Sequence, residues 1–221
     1  MDLHLTNAQP TAEECAAVDS ELGTPERSWQ GGRSSIGDTR AAFNGDAHER
    51  HRLLPVLHAI QNRIGWISPG ALNYVALRLD VAPAELHGVA SFYGMFSLRP
   101  RPQVVAHVCD DIACVTQGSE KVCAELEGAL GPAGSPCSGG RAIWFRSQCL
   151  GLCERAPAVL VSAAGEKYRE RVLAPSSAEA VQFLVSDAVQ GCLPAEPDVL
   201  DIQKSVPQNN EPSRLRLLRR I

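Results

Sequence analysis

Apolar residues recur at the helical period over the first strongly patterned stretch of the chain. Intervals of four, three and four separate the apolar positions of its first helix, Leu53, Leu57, Ile60 and Ile64. Ser68 and Pro69 supply an N-cap and a first helical residue for a second helix. A third helical stripe continues to about residue 96. The pattern predicts a small helical bundle over residues 47–97.

After residue 98 the pattern changes to short strands. The runs "QVVAHVC" and "RAIWFR" are rich in β-branched and aromatic residues, and "PAVLVSAAGEKYRERV" predicts a hairpin that turns at a glycine. Amphipathic helices are predicted over residues 117–131 and in "SSAEAVQFLVSDAVQG". The order strand, helix, strand, strand, strand, helix predicts an α/β layer of thioredoxin type over residues 98–191. The fold class is therefore α+β, with an N-terminal helical bundle followed by this layer.

The two ends of the chain lack such periodicity. Residues 1–46 are rich in Ser, Thr, Gly, Glu and Asp, and they predict a flexible N-terminal extension. Residues 192–221 are polar and punctuated by proline, and they predict a linker or tail.

Composition limits the classes of function. The net charge of −4 argues against nucleic acid as a partner, which usually requires a basic face. No apolar run approaches the roughly 18 residues that span a bilayer, and the N-terminus lacks a secretory signal, so we expect a cytoplasmic chain without direct membrane insertion. In the reducing cytoplasm, eight cysteines favour metal or redox chemistry over disulfides.

Four of the cysteines lie in two loops that each follow a predicted strand. Cys109 and Cys114 are separated by four residues, and Cys149 and Cys153 by three. A 2Fe-2S cluster has two irons, each held by two thiolates, and a four-residue gap occurs in plant-type ferredoxins. The spacing favours such a cluster but leaves open a zinc site or inert or redox cysteines. A Rieske cluster would need a second histidine beside His107, and thioredoxin-type exchange would need a C-x-x-C pair.

The surroundings of these cysteines suggest supporting roles. Gly118 and Gly151 permit close approach of the backbone, whose amides can donate to sulfur. Asp110 and Asp111 are expected to face solvent, since carboxylates directed at the site would lower a reduction potential. The remaining cysteines lack paired spacing and are left outside the site: Cys15, Cys123, Cys137 and Cys192.

Two further observations concern the aromatic residues before the sheet and the catalytic motifs that the sequence lacks. Phe92, Tyr93 and Phe96 are expected to pack the bundle onto the sheet as part of the core, with a surface that faces a partner as the alternative. The sequence has no Gly-rich dinucleotide fingerprint and no Ser-His-Asp or Cys-His arrangement, so we expect no complete catalytic site in this chain alone.

Three segments together carry a family resemblance: "GVASFYGMFSLRP", "HVCDDIACVTQG" and "CLGLCERAPAVLV". They resemble the thioredoxin-like 2Fe-2S subunit of NADH dehydrogenases, which is the E subunit of bacterial respiratory complex I and also occurs in NAD-linked hydrogenases and formate dehydrogenases. The resemblance covers roughly residues 50–190. It implies that one 2Fe-2S cluster is bound by Cys109, Cys114, Cys149 and Cys153.

The resemblance also implies a setting for the chain. The chain would be an electron-carrying subunit of an NADH dehydrogenase-type oxidoreductase, beside a flavoprotein subunit that binds FMN and NAD. That complex would lie in the cytoplasm or on the inner face of the cell membrane. The alternatives are a zinc-stabilised interaction module and the equivalent subunit of an NAD-linked hydrogenase or formate dehydrogenase.

The last residues, "EPSRLRLLRRI", carry a second resemblance. They are similar to the entrance of the FMN-binding partner subunit, which is fused to this domain in some bacteria. A docking segment, the start of a truncated fusion and a solvated basic tail all remain open.

Overall fold

The structure is a computed structural model that describes residues 7–24 and 49–194. Most of the predicted N-terminal extension and the tail with its proposed docking or fusion role lie outside the described residues. Within the described ranges, α-helices precede a five-stranded sheet, which confirms the predicted α+β class.

Helix α1 (Ala12–Leu22) lies inside the segment predicted as an extension without regular structure, so that prediction is wrong here. A capping box starts the helix: the Glu14 amide donates to the Thr11 hydroxyl at 3.2 Å, and the Thr11 amide donates to the Glu14 carboxylate at 2.7 Å. The helix packs against the bundle through two buried apolar side chains, Ala17 and Val18.

The predicted bundle is present as α2 (Leu53–Ile64), α3 (Pro69–Leu79) and α4 (Pro83–Phe92). Gly65 ends α2 in the left-handed region with φ +100°, where a side chain would be strained. The Ser68 hydroxyl caps α3 by accepting from the third residue of the helix. The core of the bundle is aliphatic and includes Val56, Leu57, Ile60, Val75 and Leu86.

The aromatic segment at the end of α4 corrects an expectation. Phe96 is buried as predicted, but Phe92 is 80% exposed and Tyr93 is 43% exposed. Helix α4 ends at Phe92, and Tyr93 is already extended, so both rings leave the side of the helix that faces the core. The two rings contact each other edge to face instead, with centroids 5.2 Å apart.

The sheet has the strand order β2-β3-β1-β4-β5. Its elements, with the intervening helices, are β1 (Val104–Cys109), α5 (Ile112–Thr116), α6 (Ser119–Leu130), β2 (Pro136–Cys137), β3 (Ala142–Ser147), β4 (Val159–Ala163), β5 (Arg169–Leu173) and α7 (Ala178–Val189). Strand β1 pairs with β3 in parallel and with β4 antiparallel. The predicted order of elements is confirmed, and the short β2 is an addition within a predicted loop.

Helices α6 and α7 cover one face of the sheet. Their apolar residues pack against alternate strand residues, among them Ala106, Val108 and Trp144. The indole nitrogen of Trp144 donates to the Gly131 carbonyl at 2.9 Å, which satisfies its buried polar group.

Within residues 7–24 and 49–194, no helix combines the length and apolar composition required to cross a bilayer.

We predict that Gly70→Ala destabilises the chain, whereas Gly88→Ala does not. A methyl group on Gly70 would overlap the backbone carbonyl of Gln9, so the segment before α1 must shift; we expect a loss of about 1–3 kcal/mol in the free energy of unfolding. Gly88 lies in α4 with open space around it, and alanine there should add about 0.5–1 kcal/mol. Urea unfolding of both variants checks this, and equal stabilities would contradict the packing of residue 9 on α3.

Candidate metal centre

Both cysteine loops begin at the same end of the sheet. In the parallel register of β1 and β3, Cys109 is opposite Ser147, the last residue of β3. The Asp110 amide donates to the Ser147 carbonyl at 3.1 Å, so the pairing continues into the loops. On the other side, the Cys109 amide donates to the Ala158 carbonyl at 3.0 Å. The backbone at this end is therefore held from both neighbouring strands.

The first loop buries its two cysteines. The Asp111 carboxylate accepts from the Ile112 amide at 2.7 Å and caps the short helix α5. This helix carries Cys114, which is 2% exposed, and Cys109 is 1% exposed. We call Cys109 and Cys114 the inner couple.

The second loop leaves its cysteines at the surface. The Sγ atoms of Cys149 and Cys153 are 3.4 Å apart, and both residues are exposed. Gly151 lies between them with φ +79°, a conformation that favours glycine, and its amide donates to the Cys149 sulfur at 3.4 Å. Donation from the amides of both loops to the sulfurs of a cluster stays a prediction, and the Gly118 amide donates to the Val115 carbonyl at 3.1 Å instead. We call Cys149 and Cys153 the outer couple.

Apolar side chains join the two loops. Leu150 and Leu152 lie between Cys149 and Cys153 in the sequence. They pack against a small buried cluster formed by the inner couple and Ala158. The second loop therefore lies over the first, and its leucines shield the inner couple from water. The structure thus places the four cysteines that the sequence singled out at one end of the sheet. Among the described residues, no three or more His, Cys, Asp or Glu side chains form a group that could hold a metal ion.

The pKa values of the thiols report the same proximity. Burial raises the pKa of Cys114, and Cys109 and Cys153 raise it further. The pKa of Cys153 is raised chiefly by its hydrogen bond with Cys149, with a contribution from Cys109. The pKa of each of these two cysteines therefore depends on a thiol of the other loop. Raised pKa values keep these thiols protonated at neutral pH, so binding of a metal would displace protons.

The donor set fits a cluster with two metal centres. The thiols are presented as two couples in two loops, with two donors in each. A structural zinc ion needs four donors around one point. In contrast, each iron of a 2Fe-2S cluster takes only two cysteine thiolates, which corresponds to the inner and outer couples.

The aspartates of the first loop have other partners. Asp111 caps α5, and the Asp110 carboxylate lies 3.7 Å from the Arg146 guanidinium. Arg146 also donates to both carboxylate oxygens of Glu120 at 3.1 Å. Sequence reasoning missed Arg146, because its partners are brought to it by the packing of α6 on β3.

The remaining candidates lie away from the couples or are buried in the core. Cys123 and Cys137 belong to the core between the sheet and its helices, as expected for small buried side chains. His107 is a buried strand residue stacked on Phe145, with ring centroids 5.8 Å apart. Burial and the nearby Arg101 lower the pKa of His107 to about 4, so it is neutral at pH 7.

A mixed sheet with helices on one face and two cysteine couples in loops at one end has the four thiols that a 2Fe-2S protein requires. Residues 39–183, well over half of the chain, match the model of the thioredoxin-like [2Fe-2S] ferredoxin family. The chain belongs to that family, which confirms the resemblance seen in the sequence and supports an iron–sulfur cluster as its cofactor.

Curated relatives include the E subunit of NADH-quinone oxidoreductase from Mycobacterium tuberculosis strain H37Rv, 29% identical over 164 residues that cover 70% of this chain and 64% of the relative. The protein of the same name from Aquifex aeolicus strain VF5 is 33% identical over 125 residues, 56% of this chain and 78% of the relative. The chain thus spans somewhat less than two thirds of the mycobacterial relative.

A solved structure of similar fold is the NAD+-reducing [NiFe]-hydrogenase in its H2-reduced state. The match has a TM-score of 0.50 and 24% identity, and it covers 65% of this chain and 23% of that chain. At this identity the likeness concerns the fold alone.

We predict that Asp111→Ala loosens the inner couple, whereas Asp110→Asn does not. Loss of an N-cap costs about 1 kcal/mol and here falls on the five-residue helix that carries Cys114. Bound iron should therefore be lost to a chelator faster in Asp111→Ala. Asp110→Asn leaves the cap in place and is the matched control in the same loop. Equal rates of iron release from the two variants would contradict this role for Asp111.

Proposed function

We propose that this chain carries electrons in an NADH-oxidising complex through one 2Fe-2S cluster held by Cys109, Cys114, Cys149 and Cys153. The observation that carries the proposal is the packing of the second loop over the inner couple, which gathers four thiols at one end of the sheet. Bound there, such a cluster supplies storage and transfer of single electrons.

The chain's own residues give the site two unequal sides. The inner couple is buried beneath Leu150 and Leu152, which exclude water from it. The outer couple is exposed, and the Gly151 amide donates to one of its sulfurs. A hydrogen bond to sulfur stabilises added negative charge, so the outer couple is the proposed side for exchange of electrons with a partner.

The partner is proposed to be a flavoprotein subunit that binds FMN and NAD. The curated relatives are named as subunits of NADH-quinone oxidoreductases, and the structural neighbour is an NAD+-reducing hydrogenase. This sequence has no dinucleotide fingerprint of its own. The complex is proposed to work in the cytoplasm or on the inner face of the membrane, and other subunits would decide whether quinone or another acceptor takes the electrons.

An exposed apolar rim supports a partner at this end of the molecule. We use this name for Phe92, Tyr93, Ile112 and Val115, which are between 41% and 81% exposed. Among the described residues, only one other large apolar side chain, Phe183, is comparably exposed. Exposed apolar side chains that form a patch typically mark an interaction site.

The position of the apolar rim relates it to the cysteines. Ile112 and Val115 flank Cys114 on α5. Beside the aromatic pair, Gly94 lies against the side chain of Gln148, which immediately precedes Cys149. A partner that contacted both pairs of the apolar rim would therefore lie close to the segments that carry Cys114 and Cys149.

We predict that serine at any of the four proposed ligands abolishes the cluster. Purified wild-type protein should be reddish-brown, contain two irons and two sulfides per cluster, and give an EPR signal on reduction. Each single variant should lose most of its iron and sulfide. The matched controls are Cys123→Ser and Cys192→Ser, which should keep both. A colourless wild-type protein with one zinc per chain would support the zinc module instead and overturn the proposal.

We predict that the apolar rim binds the flavoprotein. Phe92→Ser should weaken that complex by roughly tenfold or more, because burial of an aromatic side chain contributes about 1.5–3 kcal/mol. Ile112→Ser should act in the same direction. Phe183→Ser, on the outer side of α7, is the control. Titration of the purified flavoprotein with each variant measures the affinity, and equal losses in all three variants would show that the apolar rim is not the contact.

A further inference from the structure

A surface cavity of about 540 Å³ lies at the end of the sheet opposite the cysteines. Its floor is apolar, with Val104 at the start of β1, Ala163 at the end of β4 and Ala188 near the end of α7. Since β1 runs from this cavity to Cys109, the cavity is a separate feature from the proposed cluster site.

Four basic side chains line the cavity, and no aspartate or glutamate is among its lining residues. They are Arg101, Arg141, Lys167 and Arg169. This grouping is unexpected on an acidic chain with a net charge of −4. A small volume that gathers positive charges from separate parts of the sequence favours anions through their summed field.

None of the four makes an ion pair with a carboxylate within the described parts of the chain. Other arginines do, as the pairs Arg50–Glu85, Arg78–Asp19 and Arg146–Glu120 show. Two of the cavity arginines donate to neutral carbonyls: Arg101 Nε donates to Gly65 at 2.8 Å, and Arg169 donates to Leu193 at 2.9 Å. These bonds fix the two guanidinium groups. Arg101 also donates to the Met95 carbonyl at 3.5 Å and lowers the pKa of His107, so its guanidinium is directed away from the cavity. The positive charge of the cavity therefore comes from Arg141, Lys167 and Arg169.

The carboxyl end of α7 borders the cavity, and its dipole contributes about half a negative charge. That contribution is small against three cations, so the cavity remains positive.

We infer that this cavity binds a small molecule bearing phosphate. Planar guanidinium groups bind phosphate oxygens through two parallel hydrogen bonds, and a lysine adds a point charge. A ligand with two or more negative charges matches the excess of cations, and the volume lies in the range of small-molecule sites. The concave shape with an apolar floor favours a soluble ligand over the flat surface of a membrane. The inference is independent of the proposed cluster function.

Pyrophosphate is the probe for the test, with the full-length chain and isothermal titration at constant ionic strength. The double variant Arg141→Gln/Lys167→Gln should weaken binding by more than tenfold, since each lost charge-assisted bond corresponds to roughly tenfold. Both side chains are exposed, so the fold should tolerate their replacement. The matched control, Arg50→Gln/Lys121→Gln, removes one arginine and one lysine far from the cavity and should bind like the wild type.

Gln103→Glu keeps the test decisive if the double variant does not fold. Gln103 is an exposed residue of the cavity wall, and glutamate has the same shape but places a carboxylate beside the cavity's cations. This variant should also bind pyrophosphate more than roughly tenfold less tightly. Absence of binding to the wild type, equal loss in the control variant, or binding to vesicles of anionic phospholipid without binding of free pyrophosphate would each overturn the inference.

Discussion

The parallel pairing of β1 with β3 is the constraint on which the cysteine site depends. In this register both strands end together, at Cys109 and Ser147, so the loops that follow them start side by side. An antiparallel pair would place the two loops at opposite ends of a six-residue strand, about 20 Å apart. A shift of one residue would move Cys109 to the face covered by α6 and α7. The βαβ crossover through α6 therefore decides whether the four thiols can meet.

That constraint also explains why the two cysteine couples differ. In the inner couple, Cys109 ends a central strand with neighbours on both sides, and Cys114 follows on α5; both are buried. The outer couple belongs to a loop that has left the sheet and returns only at β4. Packing of two leucines is what ties this loop down. We therefore expect the second loop to depend on a bound cluster for its order more than the first, because metal binding and local folding are coupled.

Local patterns predicted most of the fold. Helices α2 and α3 have a strong apolar period and their caps in the sequence, and the switch to short β-branched runs marked the strands. Helix α1 was missed because only three of its residues are buried, which leaves little periodicity, although the capping box at Thr11 was present as a signal. The exposure of Phe92 was also missed, because where a helix ends relative to its core face is decided by packing.

The candidate site, like the fold, was predicted only where its features are local in the sequence. The spacing of the cysteines and the glycine between the outer pair identified the four thiols, since both are local features. The contacts of Arg146 with Asp110 and Glu120 join residues from three parts of the fold, and the basic cavity gathers residues 101, 141, 167 and 169. No local pattern contains that information. The strand order is likewise set by the crossover connection and by burial of the apolar faces.

The two ends of the sheet carry opposite electrostatic character, and the distance between them limits how strongly they interact. Around the inner couple, Arg146 is shared by Asp110, Glu120 and Glu127, so negative charges are in excess there. The basic cavity lies the length of β1 away, about 20 Å for six residues. At physiological salt the screening length is about 8 Å, so charge placed in the cavity acts only weakly through solvent on the cysteine end. An anion in the cavity would influence the cysteines mainly by moving β1, whose two ends are fixed to different loops.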